Sequence, residues 1–301
     1  MKKAIPPAFT EEFQKDEGYR FRKGRASLLL MEASVGHRLK NEEIFAFSRA
    51  ISNFLLQVRH GGEAAPEKPA PDGYRPMTIG DFPDRSAGPF YKYLPRDAWE
   101  NFVSKGKFRL GTPRHYRATE NENIRDRLEG VSMLVLTWKG DEYQACVEVG
   151  NNFAVYCGSR EMNPDDDIKH ERFGEVCIEI LDVPEFARRV AKTIGATSYA
   201  VHDVVYCDAK AMSAEADFSR VAFNLRAYNG RALDEEALHL MNVELFEIFH
   251  GVGRFASLFS KPVDPFYVEA ERRIAFEMPR DLGSPTLTFT DRGLLELIQQ
   301  V

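Results

Sequence analysis

The chain has 301 residues, 44% hydrophobic and 29% charged, which is ordinary for a globular protein and long enough for one large domain with an appendage, or for two domains. Forty Lys and Arg against 46 Asp and Glu leave a formal charge of -6, which argues against a dedicated duplex-DNA binder while leaving room for a local basic patch. No run of about 18 apolar residues is present, and the first 30 residues, with Glu11, Glu12, Asp16 and Glu17, lack the compact apolar core of a secretory signal, so a cytoplasmic protein with no membrane span is expected.

In chain order, residues 9–39 are rich in Glu, Lys, Arg and Leu and predict one or two helices, with Gly18 and Gly24 opposing an unbroken rod. Residues 41–60 give the clearest helix: Asn41 can cap, Glu42 and Glu43 suit the positive end, and Ile44, Phe47, Ile51, Leu55 and Val58 recur at helical spacing. Residues 1–60 therefore predict a helical hairpin. The Pro- and Gly-rich stretch 61–89 predicts a linker, and the domain boundary falls there. Beyond it, strands are expected over 90–94, 108–112, 131–138, 143–149, 153–157, 175–181 and 199–206, with a short helix over 97–105. A helix opened by Asp182 is expected over 184–194, a longer one over 235–249, a last strong strand over 266–276 and a terminal helix over 291–300. The class is α+β, without internal repeats.

Cys146, Cys157, Cys177 and Cys207 form no CxxC pair and stand in apolar, strand-like settings, so reduced, buried thiols are expected. The seven histidines form no HxxxH pair and no zinc-type cluster, so no metal is expected.

The stretch Phe266-Tyr267-Val268-Glu269-Ala270-Glu271-Arg272-Arg273-Ile274-Ala275-Phe276 carries the most chemistry. If it is one strand, Glu269, Glu271 and Arg273 share a face and Val268, Ala270, Ile274 and Phe276 take the other. Two carboxylates roughly 7 Å apart repel each other unless a cation or ligand offsets them. The plainer alternative is a solvated amphipathic edge strand.

Around this stretch stand Tyr91-Lys92-Tyr93, then Lys107-Phe108-Arg109, Cys157-Gly158-Ser159, Gly174-Glu175-Val176-Cys177-Ile178 and Phe259-Ser260-Lys261. The order Tyr-Lys-Tyr, Cys-x-Ser, Val-Cys-Ile, Phe-Ser-Lys, Glu-x-Glu-x-Arg resembles an uncharacterised bacterial domain family over about residues 90–278. That family in turn looks like the ADP-ribosyltransferase fold. The chain departs from the family pattern at residues 114–121, where an Asn-Asp-Pro-Phe-Glu turn is usual, and at 163–168, where a Trp-containing segment is usual.

The resemblance implies a split β-sheet core with flanking helices over residues 90–301, NAD as substrate, and transfer of ADP-ribose to a macromolecule, protein or single-stranded nucleic acid, in a toxin or phage-defence role. It places Glu271 as the catalytic carboxylate and Glu269 next to the acceptor. Lys92 or Tyr93 would occupy the first-strand site and Ser159 the central one. Lys92, Arg109 or Arg273 would pair with the pyrophosphate, and Tyr91, Tyr93 or Tyr156 would stack on a ring. Lys261 joins this set, or is a solvated loop cation. His115 is a loop residue or part of a basic acceptor edge. The N-terminal helices could bind an antitoxin, a chaperone or a second copy. Two other classes stay open: a non-catalytic interaction module, and a metal-dependent nuclease using Glu269, Glu271 and Asp264.

Overall fold

The computed structural model describes residues 27–30, 45–46, 49, 76–78, 88–119, 126, 128–138, 141–149, 152–162, 167–207, 210–217, 256–263 and 266–301. The fold is mixed α+β, dominated by antiparallel strands, and no helix among the described residues is long and apolar enough to cross a membrane.

The strands, in chain order, are β1 (Ser27–Leu30), β2 (Met77–Thr78), β3 (Tyr91–Leu94), β4 (Lys107–Gly111), β5 (Val131–Trp138), β6 (Asp141–Glu148), β7 (Phe153–Ser159), β8 (Val176–Ile180), β9 (Ser198–Asp203), β10 (Val205–Tyr206), β11 (Ala211–Glu215), β12 (Ser260–Lys261), β13 (Glu271–Glu277), β14 (Thr286–Thr290) and β15 (Ile298–Gln300). The helices are α1 (Arg96–Asn101), α2 (Pro113–Ala118), α3 (Asp167–Phe173) and α4 (Val183–Ile194).

The larger sheet is built around β7. One edge of β7 pairs with β13 along its whole length, from Phe153–Glu277 to Ser159–Glu271, and β13 continues to β9. The other edge is shared: β4 meets it only through Gly111–Val155, and β3 only through Tyr91–Ser159. The two strands then part, β4 towards β14 and β3 towards β8 and β15. Gly158 permits the close approach of β3, since a Cβ there would overlap the Phe90 ring and stand 2.5 Å from the Tyr91 carbonyl oxygen.

Behind this sheet lies α4. As the sequence pattern predicts, Asp182 opens the helix, accepting a hydrogen bond from Glu185 N at 3.0 Å; Pro184 occupies the first turn, and Gly195 closes the helix at φ 71°. Its apolar side, Phe186, Ala187 and Val190, packs on Phe108, Tyr156, Ile274 and Phe276. Burying each such large apolar side chain contributes about 1.5–3 kcal/mol. A second, five-stranded sheet runs β1-β6-β5-β11-β2, and β10 pairs with β12.

Several expectations are corrected. Ser27–Leu30, inside the expected first helix, is a strand paired with β6. The remainder of the expected hairpin lies outside the described residues except Phe45, Ala46 and Arg49, which are helical. Met77–Thr78, inside the expected linker, pairs parallel with β11, while most of 61–87 and the expected helix 235–249 lie outside the described residues. The terminal segment is a 3-10 helix, Arg292–Leu297, opened by Asp291, followed by β15. The last strong strand starts only at Glu271. Tyr267–Glu269 is a 3-10 turn, and Ala270 follows in the left-handed region at φ 44°.

Candidate functional site

A cleft of about 750 Å³ opens where β3 and β4 part from β7, within the size range of small-molecule sites. Ten of the side chains singled out in the sequence line it: Tyr91, Lys92, Tyr93 and Arg109, then Tyr156 and Ser159, then Lys261, Glu269, Glu271 and Arg273. Pairing explains the convergence. Tyr91 is opposite Ser159 and Ser159 opposite Glu271, so the three form one register row across β3, β7 and β13 and face the same way.

Although Glu269 is not in the strand with Glu271, the left-handed turn at Ala270 brings the two carboxylates together around one ammonium. Lys261 Nζ lies 2.9 Å from Glu269 Oε2 and 2.8 Å from Glu271 Oε2. The Phe266 ring stands 4.5 Å behind that ammonium. Arg273 Nε donates to Glu271 Oε1 at 2.7 Å, and its two terminal nitrogens donate to Glu129 at 2.6 and 2.8 Å. Nη1 also donates to the Leu258 carbonyl oxygen at 2.6 Å. The backbone N–H of Glu271 donates to the Tyr206 hydroxyl at 2.8 Å. On the far side, Arg172 Nη1 stands 3.6 Å from Glu269 Oε1, a buried oxygen without a hydrogen-bond partner among the described residues. An alternating chain of charge thus runs Glu129, Arg273, Glu271, Lys261, Glu269, Arg172.

The two acids are held apart in proton affinity. Burial alone would push Glu271 up, but Arg273 and Lys261 outweigh it and hold its carboxyl far below the usual range. Burial pushes Glu269 up, and the adjacent Glu271 charge adds to the rise against the pull of Lys261. Lys261 stays protonated, its burial outweighed by Glu271 and Glu269. Environments that separate two carboxylates in this way define an ionised partner and a proton-exchanging one.

No family model, no curated protein and no solved structure matches the chain.

The site residues divide by what they touch. Arg273, expected to pair with a pyrophosphate, is 1% exposed and spends its donors on Glu271, Glu129 and Leu258, so it positions Glu271 instead. Tyr156, expected to stack on a ligand ring, already stacks on Phe90 at 5.7 Å and packs on Phe186, and it belongs to the core under the cleft floor. Lys261 is a buried bridge rather than a solvated loop cation. Ser159 is buried, donates to the Ala270 carbonyl oxygen at 3.4 Å and accepts from Glu161 N at 3.2 Å, which ties the β7 end to the turn carrying Glu269.

Lys92 is half-buried, donates to the Cys157 carbonyl oxygen at 2.7 Å and lies 5.4 Å over the Tyr156 ring. Burial lowers its proton affinity. Neither Lys92 nor the exposed Arg109 has a carboxylate partner among the described residues, so both can receive an anion. His115 lies on α2 rather than in a loop and lines the cleft, and burial and Arg109 lower its pKa.

Sequence reasoning missed Glu129, Arg172 and Tyr116. Glu129 lies in the turn before β5, and no motif joins it to Arg273, 144 positions away. Cys157 faces the cleft beside the Tyr116 hydroxyl, 3.4 Å away, and burial pushes its thiol up to about 12, which rules out a thiolate nucleophile at neutral pH. Cys177 and Cys207 are buried, as expected, whereas Cys157 is only half-buried.

For a divalent metal, the position between Glu269 and Glu271 is taken by the Lys261 ammonium. Among the described residues no group of three His, Cys, Asp or Glu side chains stands ready to hold an ion, and Asp264 lies outside them.

Proposed function

We propose that the chain is an NAD-dependent ADP-ribosyltransferase acting on a macromolecular acceptor, with the cleft between β3 and β4 as its NAD site. The observation that carries this reading is the register row Tyr91, Ser159, Glu271 on the cleft floor, with Glu269 held beside Glu271 by Lys261. When the bond from ribose C1′ to the nicotinamide nitrogen breaks, the leaving nicotinamide keeps the electron pair and the ribose becomes cationic. A carboxylate kept ionised stabilises that cation, and Glu271 is such a group. The acceptor oxygen or nitrogen then bonds to C1′ and loses a proton, which the raised carboxyl of Glu269 takes in its deprotonated form. Lys92 faces the pyrophosphate, and the half-exposed Tyr91 ring is available for stacking.

Incubation with labelled NAD and cell extract tests the reading through nicotinamide release, labelled product and growth inhibition on expression. Glu271→Gln is expected to lose about a hundred- to thousand-fold in nicotinamide release, and full retention would discard the site.

One observation favours a second reading, a non-catalytic interaction module: both oxygens of Glu271 are already engaged by Arg273 and Lys261, as in a purely structural buried network. The same assay decides between the two, because an interaction module releases no nicotinamide.

A further inference from the structure

Opposite the carboxylates, the cleft is walled by β4 and β14. Alternation buries Phe108 and Leu110 and turns Lys107 and Arg109 outward. Register sets Lys107 against Thr290, Arg109 against Thr288 and Gly111 against Thr286, so the same face carries three threonines while Leu287 and Phe289 pack towards the core. Lys107, Arg109, Thr286 and Thr288 line the cleft, with Phe102, 51% exposed, at its rim. Among the described residues that line the cleft the acidic side chains are Asp97, Glu269 and Glu271, in a chain whose formal charge is -6. Neither Lys107 nor Arg109 has a carboxylate partner among the described residues.

The surface therefore offers hydroxyls, one ammonium and one guanidinium at positions roughly 7 Å apart along each strand, comparable to successive phosphates of an extended polynucleotide, and it ends at an exposed ring. Cationic and hydroxyl donors position a phosphodiester backbone, and an exposed aromatic stacks an unpaired base. We propose that the β4–β14 face is a track for single-stranded nucleic acid, and that this polymer is the acceptor. The acceptor role rests on the ADP-ribosyl-transfer reading, and the binding does not.

Fluorescence anisotropy of the full chain with labelled oligothymidine and oligouridine, without NAD, tests the track. Wild type is expected to bind single strands with an affinity that falls as salt rises, and to bind duplex DNA or polyglutamate far more weakly. Lys107→Glu is expected to weaken binding on the order of tenfold and to flatten the slope of log K against log salt by about 0.7. Phe102→Ala is expected to weaken binding on the order of tenfold with the slope unchanged. Both positions are exposed, so an unchanged melting temperature shows that the fold is intact. Absence of single-strand binding, equal binding of duplex or polyglutamate, or indifference to both substitutions overturns the track. Nicotinamide release without oligonucleotide binding removes this acceptor and leaves the transfer reading standing. Oligonucleotide binding without nicotinamide release removes the transfer reading and leaves the track.

Discussion

Glu269 and Glu271 share the Lys261 ammonium yet shift in opposite directions, and their pH signatures differ accordingly. Glu271 titrates below its unfolded value of 4.5, so its contribution to stability is present above that value and is lost as pH falls towards the folded one. Glu269 titrates above 4.5, so it favours the folded state at low pH and costs stability as pH rises through its folded value. In Glu269→Gln the decline of melting temperature expected as pH rises above 4.5 is predicted to shrink, as followed by thermal unfolding across a pH series. If Glu269 is the base, the acidic limb of the nicotinamide-release profile lies above 4.5 in wild type and disappears in this variant. Lys261→Met leaves two buried acids face to face and is expected to cost about 3–5 kcal/mol in denaturant unfolding, against near-neutrality for a solvated loop lysine. Cys157 is expected to resist alkylation at neutral pH in the folded protein, as mass spectrometry would show.

At the scale of elements, the legible parts were those with local signals. The Asp182 cap, Pro184 and the 3.6-residue period mark α4, and Asp182→Ala is expected to cost about 1 kcal/mol by thermal unfolding. The strand expected over 266–276 failed locally, because its apolar and polar alternation continues through a 3-10 turn and a left-handed Ala270 that no alternation rule detects. The terminal segment failed for a related reason: Leu294, Leu295 and Leu297 fit a helical face, but pairing of Ile298–Gln300 with β8 prevails over that propensity. Gly158 supplies a test of the row that aligns Tyr91, Ser159 and Glu271. A Cβ there would force β3 from β7, so Gly158→Ala is expected to cost about 1–3 kcal/mol in denaturant unfolding.

Across the whole molecule, the site depends on contacts between distant segments. Arg273 on β13 holds Glu129 in the turn before β5, and Ser257 hydrogen-bonds Ser132 at 2.9 Å and the Val147 carbonyl oxygen at 3.2 Å, so the five-stranded sheet braces the carboxylate cluster of the larger one. The sequence pattern named the side chains that line the cleft, because Lys261, Glu269, Glu271 and Arg273 fall in two short stretches. It did not show that Arg273 points to Glu129 rather than to a ligand, since that depends on long-range pairing. The parting of β3 and β4 has a consequence for selectivity. Where β3 and β4 form the walls, drawing them together on a guest would strain their ladders with β8 and β14, so this part of the opening is set during folding rather than at encounter. Such a mouth discriminates by outline: an oversized analogue is turned away instead of being accommodated.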